Sequence, residues 1–247
     1  MKRMFAALAL ALLSSILILG CDGGEGIADT PTTRAFTLEE AVVLNGVVAP
    51  DDFLQGVVQA INIRGETSDE VRVDPDGRFT LNISDYPPFL LRLIPHDQEE
   101  VLLSFAASAG HVNLTPLTNL AMYVAVGTEV ALESLFHEWD GSQLSPEEVE
   151  VAMATVNANL APLLSQQGLD HRTYDFFRTD FQSDGTGIDA VIATIRIDID
   201  FTAETLSRAI SILDASGREL LTFDPAATIA NTTTSSEVVR ESEGESQ

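Results

Sequence analysis

The hydrophobic pattern of this chain changes its period once, near Gly110. Before that point, short runs of β-branched and aliphatic residues alternate with polar residues, which is typical of strands. After it, apolar residues recur three and four positions apart, which is typical of helices. This segregation predicts an α+β fold, with a β-sandwich domain at residues 37–109 and a helical domain ending in a β-hairpin at residues 110–225.

At least five short strand segments lie in the first part of the chain, and their close spacing favours a small antiparallel sandwich. The turn Asp74-Pro75-Asp76-Gly77 separates two alternating runs, so we predict a β-hairpin over residues 70–83. The remaining segments are residues 41–49, 56–63, 88–95 and 100–107.

An opening "GVV" strand, a following "VQAINI" strand and the "DPDGRFTL" hairpin together resemble the carboxypeptidase regulatory-like, transthyretin-like sandwiches of bacterial surface proteins. The resemblance covers the β part only. It implies a stabilising or binding module that has no chemistry of its own.

Helix signals follow at Thr115-Pro116 and Ser145-Pro146, where a capping residue precedes a proline that suits the first helical position. We predict helices beginning there, the second reaching Gly168, and another over residues 128–139. Residues 209–223 are predicted to form a hairpin turning at Ser216-Gly217, with a helix over residues 203–213 as the alternative. The predicted apolar helix faces are Leu117, Leu120, Ala121 and Val124, and Val149, Met153, Val156 and Leu160.

Two motifs, "NLTPLT" at residues 113–118 and "FQSDGTGIDAVIATIRIDI" at residues 181–199, resemble stretches of uncharacterised bacterial lipoproteins in which a β domain passes into a helical one. That group implies no function that can be carried over.

The N-terminus has a positively charged start followed by an apolar run that ends at Gly20-Cys21, which is typical of a secretory signal. We predict a signal peptide at residues 1–20, with an uncut membrane anchor as the alternative. Ile18-Leu19-Gly20-Cys21 resembles the lipobox of bacterial lipoproteins, although Leu19 departs from its usual small residue. The resemblance implies that Cys21 is acylated and anchors the chain to a membrane.

Residues 21–36 are then predicted to be a flexible tether and residues 226–247 a disordered tail, because both are polar and low in complexity. The expected location is the cell envelope, on the periplasmic or outer face of a membrane. Asp22, directly after the cysteine, resembles an inner-membrane retention signal of enteric bacteria.

The net charge of −25 and a single lysine, Lys2, exclude several classes of function. A folded part without lysine excludes Schiff-base chemistry and a phosphate-binding loop lysine. Strong acidity also argues against nucleic acid as a partner, since such proteins present a basic face.

Asp180, Asp184 and Asp189 surround two glycines and are candidate calcium ligands, but the stretch lacks the glutamate that would complete an EF-hand loop. The alternative interpretation, which we prefer, is a glycine loop in which Asp189 caps a helix over residues 190–195. Ser108, followed by His111, resembles a degenerate nucleophile elbow, but the next helix begins too late for one.

The sequence therefore predicts a lipid-anchored envelope protein that binds or scaffolds a protein or glycan partner without catalysis and without a cofactor. Two alternatives remain open: a hydrolase of envelope polymers that uses unidentified carboxylates, and a calcium-stabilised adhesive module.

Overall fold

The computed structural model describes residues 40–49, 55–96, 101–127, 132–200 and 202–228. All described residues belong to one compact unit, Leu38–Gln247. The predicted signal peptide, Cys21, the tether and residues 229–247 of the predicted tail lie outside the described residues.

Strands come first along the described chain and helices follow, as the change of period predicts, and three further strands lie near the C-terminal end of the described residues. The strands are β1 (Ala41–Val47), β2 (Val57–Ile61), β3 (Val71–Arg72), β4 (Arg78–Ser84), β5 (Phe89–Ile94), β6 (Leu102–Ala106), β7 (Gly110–His111), β8 (Ile195–Ile199), β9 (Ile210–Asp214) and β10 (Glu219–Thr222). The helices are α1 (Pro116–Val126), α2 (Leu132–His137), α3 (Pro146–Asn159), α4 (Ala161–Gln166), α5 (Gly187–Thr194) and α6 (Leu206–Ala209).

The predicted sandwich is confirmed as two sheets with strand orders β4-β1-β7 and β3-β2-β5-β6. All pairings are antiparallel except the short parallel contact of β1 with β7. Alternate residues of both sheets form one buried apolar cluster, which accounts for the period of two in the sequence. Its members include Leu44, Val58, Ala60, Phe79, Leu81, Ile83, Phe89, Leu91, Leu93 and Leu102.

The predicted hairpin over residues 70–83 is wrong in its pairing, although its turn is present. The Gly77 N–H donates to the Asp74 carbonyl oxygen at 3.0 Å, and Gly77 has a φ of +77°. Strand β3 then pairs with β2, whereas β4 pairs with β1 over seven residue pairs. Alternation in a sequence determines which face of a strand is buried, but the longer β1–β4 ladder decides which sheet β4 joins.

Helix α1 begins at the predicted proline and covers the edge of the four-stranded sheet. Thr115 and Thr118 form a reciprocal capping box, each side-chain oxygen accepting from the other's backbone N–H. Strand β6 is the edge strand, and the Leu103 N–H donates to Asn119 Oδ1 at 3.0 Å. The helix therefore satisfies a backbone donor that an exposed edge would leave open to other chains.

The helix predicted from Ser145 to Gly168 is interrupted. Helix α3 has the predicted cap, in which Ser145 pairs with Glu148, but it ends at Asn159, and α4 starts at Ala161. Pro162 explains the break, since its ring has no N–H and clashes with the carbonyl of the preceding turn. The helix predicted over residues 128–139 is present as α2, Leu132–His137. Residues 128–131 of that prediction lie outside the described part.

The predicted C-terminal hairpin is confirmed by the pairing of β9 with β10, while the alternative helix is limited to α6. Strand β8 completes this sheet in the order β10-β9-β8, and the fold is α+β. A second apolar cluster joins Leu103 and Phe105 of the sandwich with Leu117 of α1 and Ile212 of β9. The two regions thus share buried contacts, and the domain boundary at residue 110 stays a prediction.

Among the described residues, no helix combines the length and the apolar character needed to cross a membrane.

Candidate binding clefts

Asn113, the first residue of the "NLTPLT" motif, joins three parts of the described fold. Its Oδ1 accepts from the Val47 N–H at 3.2 Å, and its Nδ2 donates to the carbonyl oxygens of Phe176 at 3.1 Å and Thr179 at 2.8 Å. Its own backbone N–H donates to the Phe177 carbonyl oxygen at 2.7 Å. The side chain is fully buried, so the motif has a structural explanation: it fastens the end of the sandwich to the loop that follows α4.

His111 lies beside this junction and not in a catalytic arrangement with Ser108. Its ring nitrogens are 3.1 Å from Asn45 Oδ1 and 2.8 Å from Asn113 Oδ1. Ser108 is exposed in the bend between β6 and β7, and no helix follows it until Pro116. The elbow geometry, a strand turning at once into a helix, is therefore not formed.

The three candidate calcium ligands have separate partners. Asp180 forms an ion pair with Arg78 at 3.1 Å, and Asp184 accepts from the backbone and hydroxyl of Thr186. Asp189 Oδ2 accepts from the Gly185 N–H at 2.7 Å. Within the described ranges, no group of three or more His, Cys, Asp or Glu residues is arranged to hold a metal ion.

The preferred interpretation of Asp189 as the residue that caps the helix is also wrong. Helix α5 starts earlier than predicted, at Gly187, with Thr186 in the capping position. Asp189 lies inside the first turn and is buried, and its carboxylate reaches back to the Gly185 N–H. It stabilises the start of the helix from within the first turn instead of from the cap, where an acidic side chain also favours the helix dipole.

An open cleft of about 180 Å³ lies where β6, the start of α3 and the loop after α4 meet. Its lining combines aromatic and aliphatic side chains with Glu150, Asp175 and the exposed Arg178. We call it the Phe105 cleft. The lining residues are Phe105, Ala107, Pro146, Val149, Glu150, Met153, Asp175, Phe177 and Arg178.

One wall of the Phe105 cleft is held by Asp175. Its Oδ1 accepts from the backbone N–H groups of Phe177 at 2.9 Å and Arg178 at 3.0 Å. Phe177 is buried and stacks on Phe176 with ring centres 5.1 Å apart. Burial and, secondarily, the neighbouring Asp175 charge raise the pKa of Tyr174 to about 12. The wall is thus fixed before any partner binds, which lowers the entropic cost of binding.

A second cavity of about 410 Å³ lies beside the outer face of β5, and we call it the Arg92 cavity. Its lining residues are Arg92, Val101, Leu103, Ser134, Phe136, His137 and Glu138. The Arg92 Cζ is 4.3 Å from the centre of the Phe136 ring, which holds the guanidinium by a cation–π contact. The Arg92 Nη2 donates to Gln59 Oε1 on β2 at 2.8 Å.

Sequence reasoning missed both clefts. The signals that could have found them are weak: Arg92 is the one charged residue within the apolar run "PFLLRLIP", and Asp175 and Arg178 flank a Phe-Phe pair. A charge inside an otherwise buried strand is expensive unless it is paired, so it is a reasonable place to look for a site.

Comparisons with protein-family models, with curated proteins and with solved structures each find no match to this chain.

Proposed function

We propose that the protein is an exported, lipid-anchored component of the cell envelope and that its folded unit is a non-catalytic module binding a protein or glycan partner. The Phe105 cleft carries this proposal. It is open, and its lining combines aromatic and aliphatic side chains with charged side chains of both signs.

The size of the cleft favours one anchoring group over a whole small molecule. Pockets for drug-sized ligands have volumes of roughly 300–1,000 Å³. The Phe105 cleft, at about 180 Å³, suits one apolar side chain of a protein or one sugar ring of a glycan. A few buried anchors of this kind supply most of the binding energy at protein interfaces.

The location rests on the sequence alone, through the apolar N-terminal run and Cys21. If Cys21 is acylated, Cys21→Ser will leave the precursor uncut and will abolish incorporation of labelled palmitate. The measurement is the apparent mass of the chain and its distribution between membrane and wash fractions. Unchanged processing and unchanged partition would overturn the lipid anchor.

The binding role is tested by crosslinking in intact cells, followed by identification of the partner. The reagent must couple carboxylates, because Lys2 is the only lysine. Arg178→Glu alters the cleft lining, and Arg208→Glu makes the same change of charge on α6, which contributes no lining residue. We expect the first variant to lose the crosslinked partner and the second to keep it; equal crosslinking by both would contradict the proposal.

The nature of the partner is decided by a second measurement on the same variants. Purified protein is sedimented with isolated cell-wall glycan, and the bound fraction is compared with that of Arg178→Glu. If Arg178→Glu lowers the bound fraction, the partner is a glycan. If protease digestion of the crosslinked product yields peptides from a second chain, the partner is a protein.

A hydrolase is the second candidate, because Glu150 and Asp175 line the same cleft. Two carboxylates near one substrate are the usual requirement for acid–base hydrolysis of glycans. Glu150→Gln and Asp175→Asn would each abolish release of soluble fragments from cell-wall glycan if this candidate is correct. If the unaltered protein releases no soluble fragments, the hydrolase candidate is rejected.

A further inference from the structure

We infer that the Arg92 cavity is a second binding site, for a small monocarboxylate with an apolar body. This inference goes beyond the proposed function, since it concerns a different cavity and a different class of ligand. It rests on the incomplete pairing of Arg92.

Arg92 is a cation that the described fold leaves without a counter-ion. Its hydrogen bond to Gln59 uses one of the five guanidinium N–H donors, and the acceptor is a neutral amide. The Nε atom is buried and has no hydrogen-bond partner. Among the ion pairs of the described residues, none includes Arg92. A buried N–H donor without an acceptor costs free energy, so a carboxylate bound beside the half-buried guanidinium would supply the missing acceptor.

Gln59 cannot rearrange freely to improve this pairing. Its Nε2 donates to the Ser68 carbonyl oxygen at 3.2 Å, which turns its Oε1 toward Arg92. The guanidinium is therefore held between the amide oxygen on one strand and the Phe136 ring on α2. A fixed, planar guanidinium is well suited to recognise a planar carboxylate.

The rest of the cavity determines what else the ligand carries. Val101, Leu103 and Phe136 supply apolar surface, and the volume of about 410 Å³ is in the range of small-molecule pockets. A chain of net charge −25 repels a dianion more strongly than a monoanion, and Glu138 on the lining adds to this repulsion. A single carboxylate with an apolar body thus fits better than a phosphate.

Octanoate is the test ligand, with octan-1-ol as its neutral counterpart and inorganic phosphate as the alternative anion. Binding to the purified full-length protein is measured by calorimetric titration. We expect octanoate to bind about 10- to 100-fold more tightly than octan-1-ol, as charged hydrogen bonds require. Equal affinity for the two, or tighter binding of phosphate, would overturn the inference.

Two variants locate the site. Arg92→Met keeps the length of the side chain and removes its charge, and Gln59→Glu places a carboxylate beside the guanidinium. Both should weaken octanoate binding by about tenfold or more. Glu138→Gln should strengthen it by about two- to fivefold, which is the usual effect of a rim charge. Gln59→Glu serves as the decisive variant if Arg92→Met does not fold.

Arg178→Glu, in the Phe105 cleft, is the matched control and should leave octanoate affinity unchanged. If octanoate binding persists in Arg92→Met or in Gln59→Glu, the inference is wrong whatever the crosslinking results show. If Arg178→Glu loses the envelope partner while octanoate does not bind, the proposed function stands and this inference fails.

Discussion

Asn113 and Arg92 are both polar side chains within the apolar framework, but they differ in how completely the described fold satisfies their hydrogen-bonding groups. Asn113 uses both of its amide atoms, with hydrogen bonds to the backbone of β1 and of the loop after α4. Arg92 has one neutral hydrogen-bond partner, Gln59, and a cation–π contact with Phe136, but its buried Nε has no hydrogen-bond partner. A polar group with all its hydrogen bonds stabilises one structure. A charge without a counter-ion lowers stability, and its position is explained better by a bound ligand than by the fold.

The difference separates a residue that holds the fold from one that is available for binding. If this distinction is correct, the two positions must respond differently to removal. Asn113 should affect stability strongly, and Arg92 should affect it little while controlling a ligand.

Asn113→Ala should produce the largest loss of stability. It leaves the Val47 N–H and the carbonyl oxygens of Phe176 and Thr179 without their partner. Val47 and Phe176 are buried, and each buried group left unsatisfied costs about 1–3 kcal/mol, so we expect a decrease of about 3–5 kcal/mol in the free energy of unfolding. The measurement is urea denaturation followed by circular dichroism.

Asn159→Ala is the matched control for that prediction. Asn159 also bonds backbone atoms, accepting from the Asp224 N–H and donating to the Asp224 carbonyl oxygen, but water reaches these groups. We expect a decrease of about 1 kcal/mol. Equal losses at the two asparagines would show that the junction is not special.

Gly46→Ala should be the next most destabilising change, since it alters the same junction by sterics alone. A Cβ at this position would lie 1.7 Å from the Val112 carbonyl oxygen, a backbone atom that cannot move without shifting β7. Overpacking of this kind costs about 1–3 kcal/mol in the free energy of unfolding, and we expect a loss near the upper end of that range because the clash is with a backbone atom. The check is the same urea denaturation.

Gly65→Ala provides the comparison for Gly46→Ala. Gly65 has a φ of +74° and nothing within 4 Å of its would-be Cβ, so the change adds backbone strain without a clash. A loss of about 1 kcal/mol is expected from the left-handed conformation. A larger loss at Gly65 than at Gly46 would contradict the close approach of Val112 to β1.

Local signals in the sequence were enough to predict the elements, since Thr115-Pro116 and Ser145-Pro146 mark helix starts through contacts within one turn. The pairing of β4 with β1, and not with β3, was missed because ladder length is a property of two distant segments. Asn113 was recognised as part of a motif, but its partners Phe176 and Thr179 are more than 60 positions away. The two clefts were missed for the same reason: each combines side chains from three elements that only the fold brings together.

Arg92→Met should change the free energy of unfolding by less than about 1 kcal/mol, in contrast to Asn113→Ala. The variant loses the cation–π contact with Phe136, but it also removes the cost of a partly buried charge without a counter-ion. The measurement is urea denaturation without added carboxylate. A loss of about 3 kcal/mol or more would place Arg92 among the residues that hold the fold.

Tyr174→Phe should have the smallest effect, visible only in alkali. Burial holds the pKa of Tyr174 at about 12, above its ordinary value of 10, so the folded state favours the neutral phenol. Its contribution to stability is complete below pH 10 and is lost as the pH rises through 12. With Lys2 as the only lysine, the tyrosines dominate titration in this range. The phenylalanine variant should therefore unfold at higher pH than the unaltered protein, as followed by circular dichroism. An unchanged alkaline midpoint in Tyr174→Phe would show that the loop beside the Phe105 cleft opens before the phenol ionises.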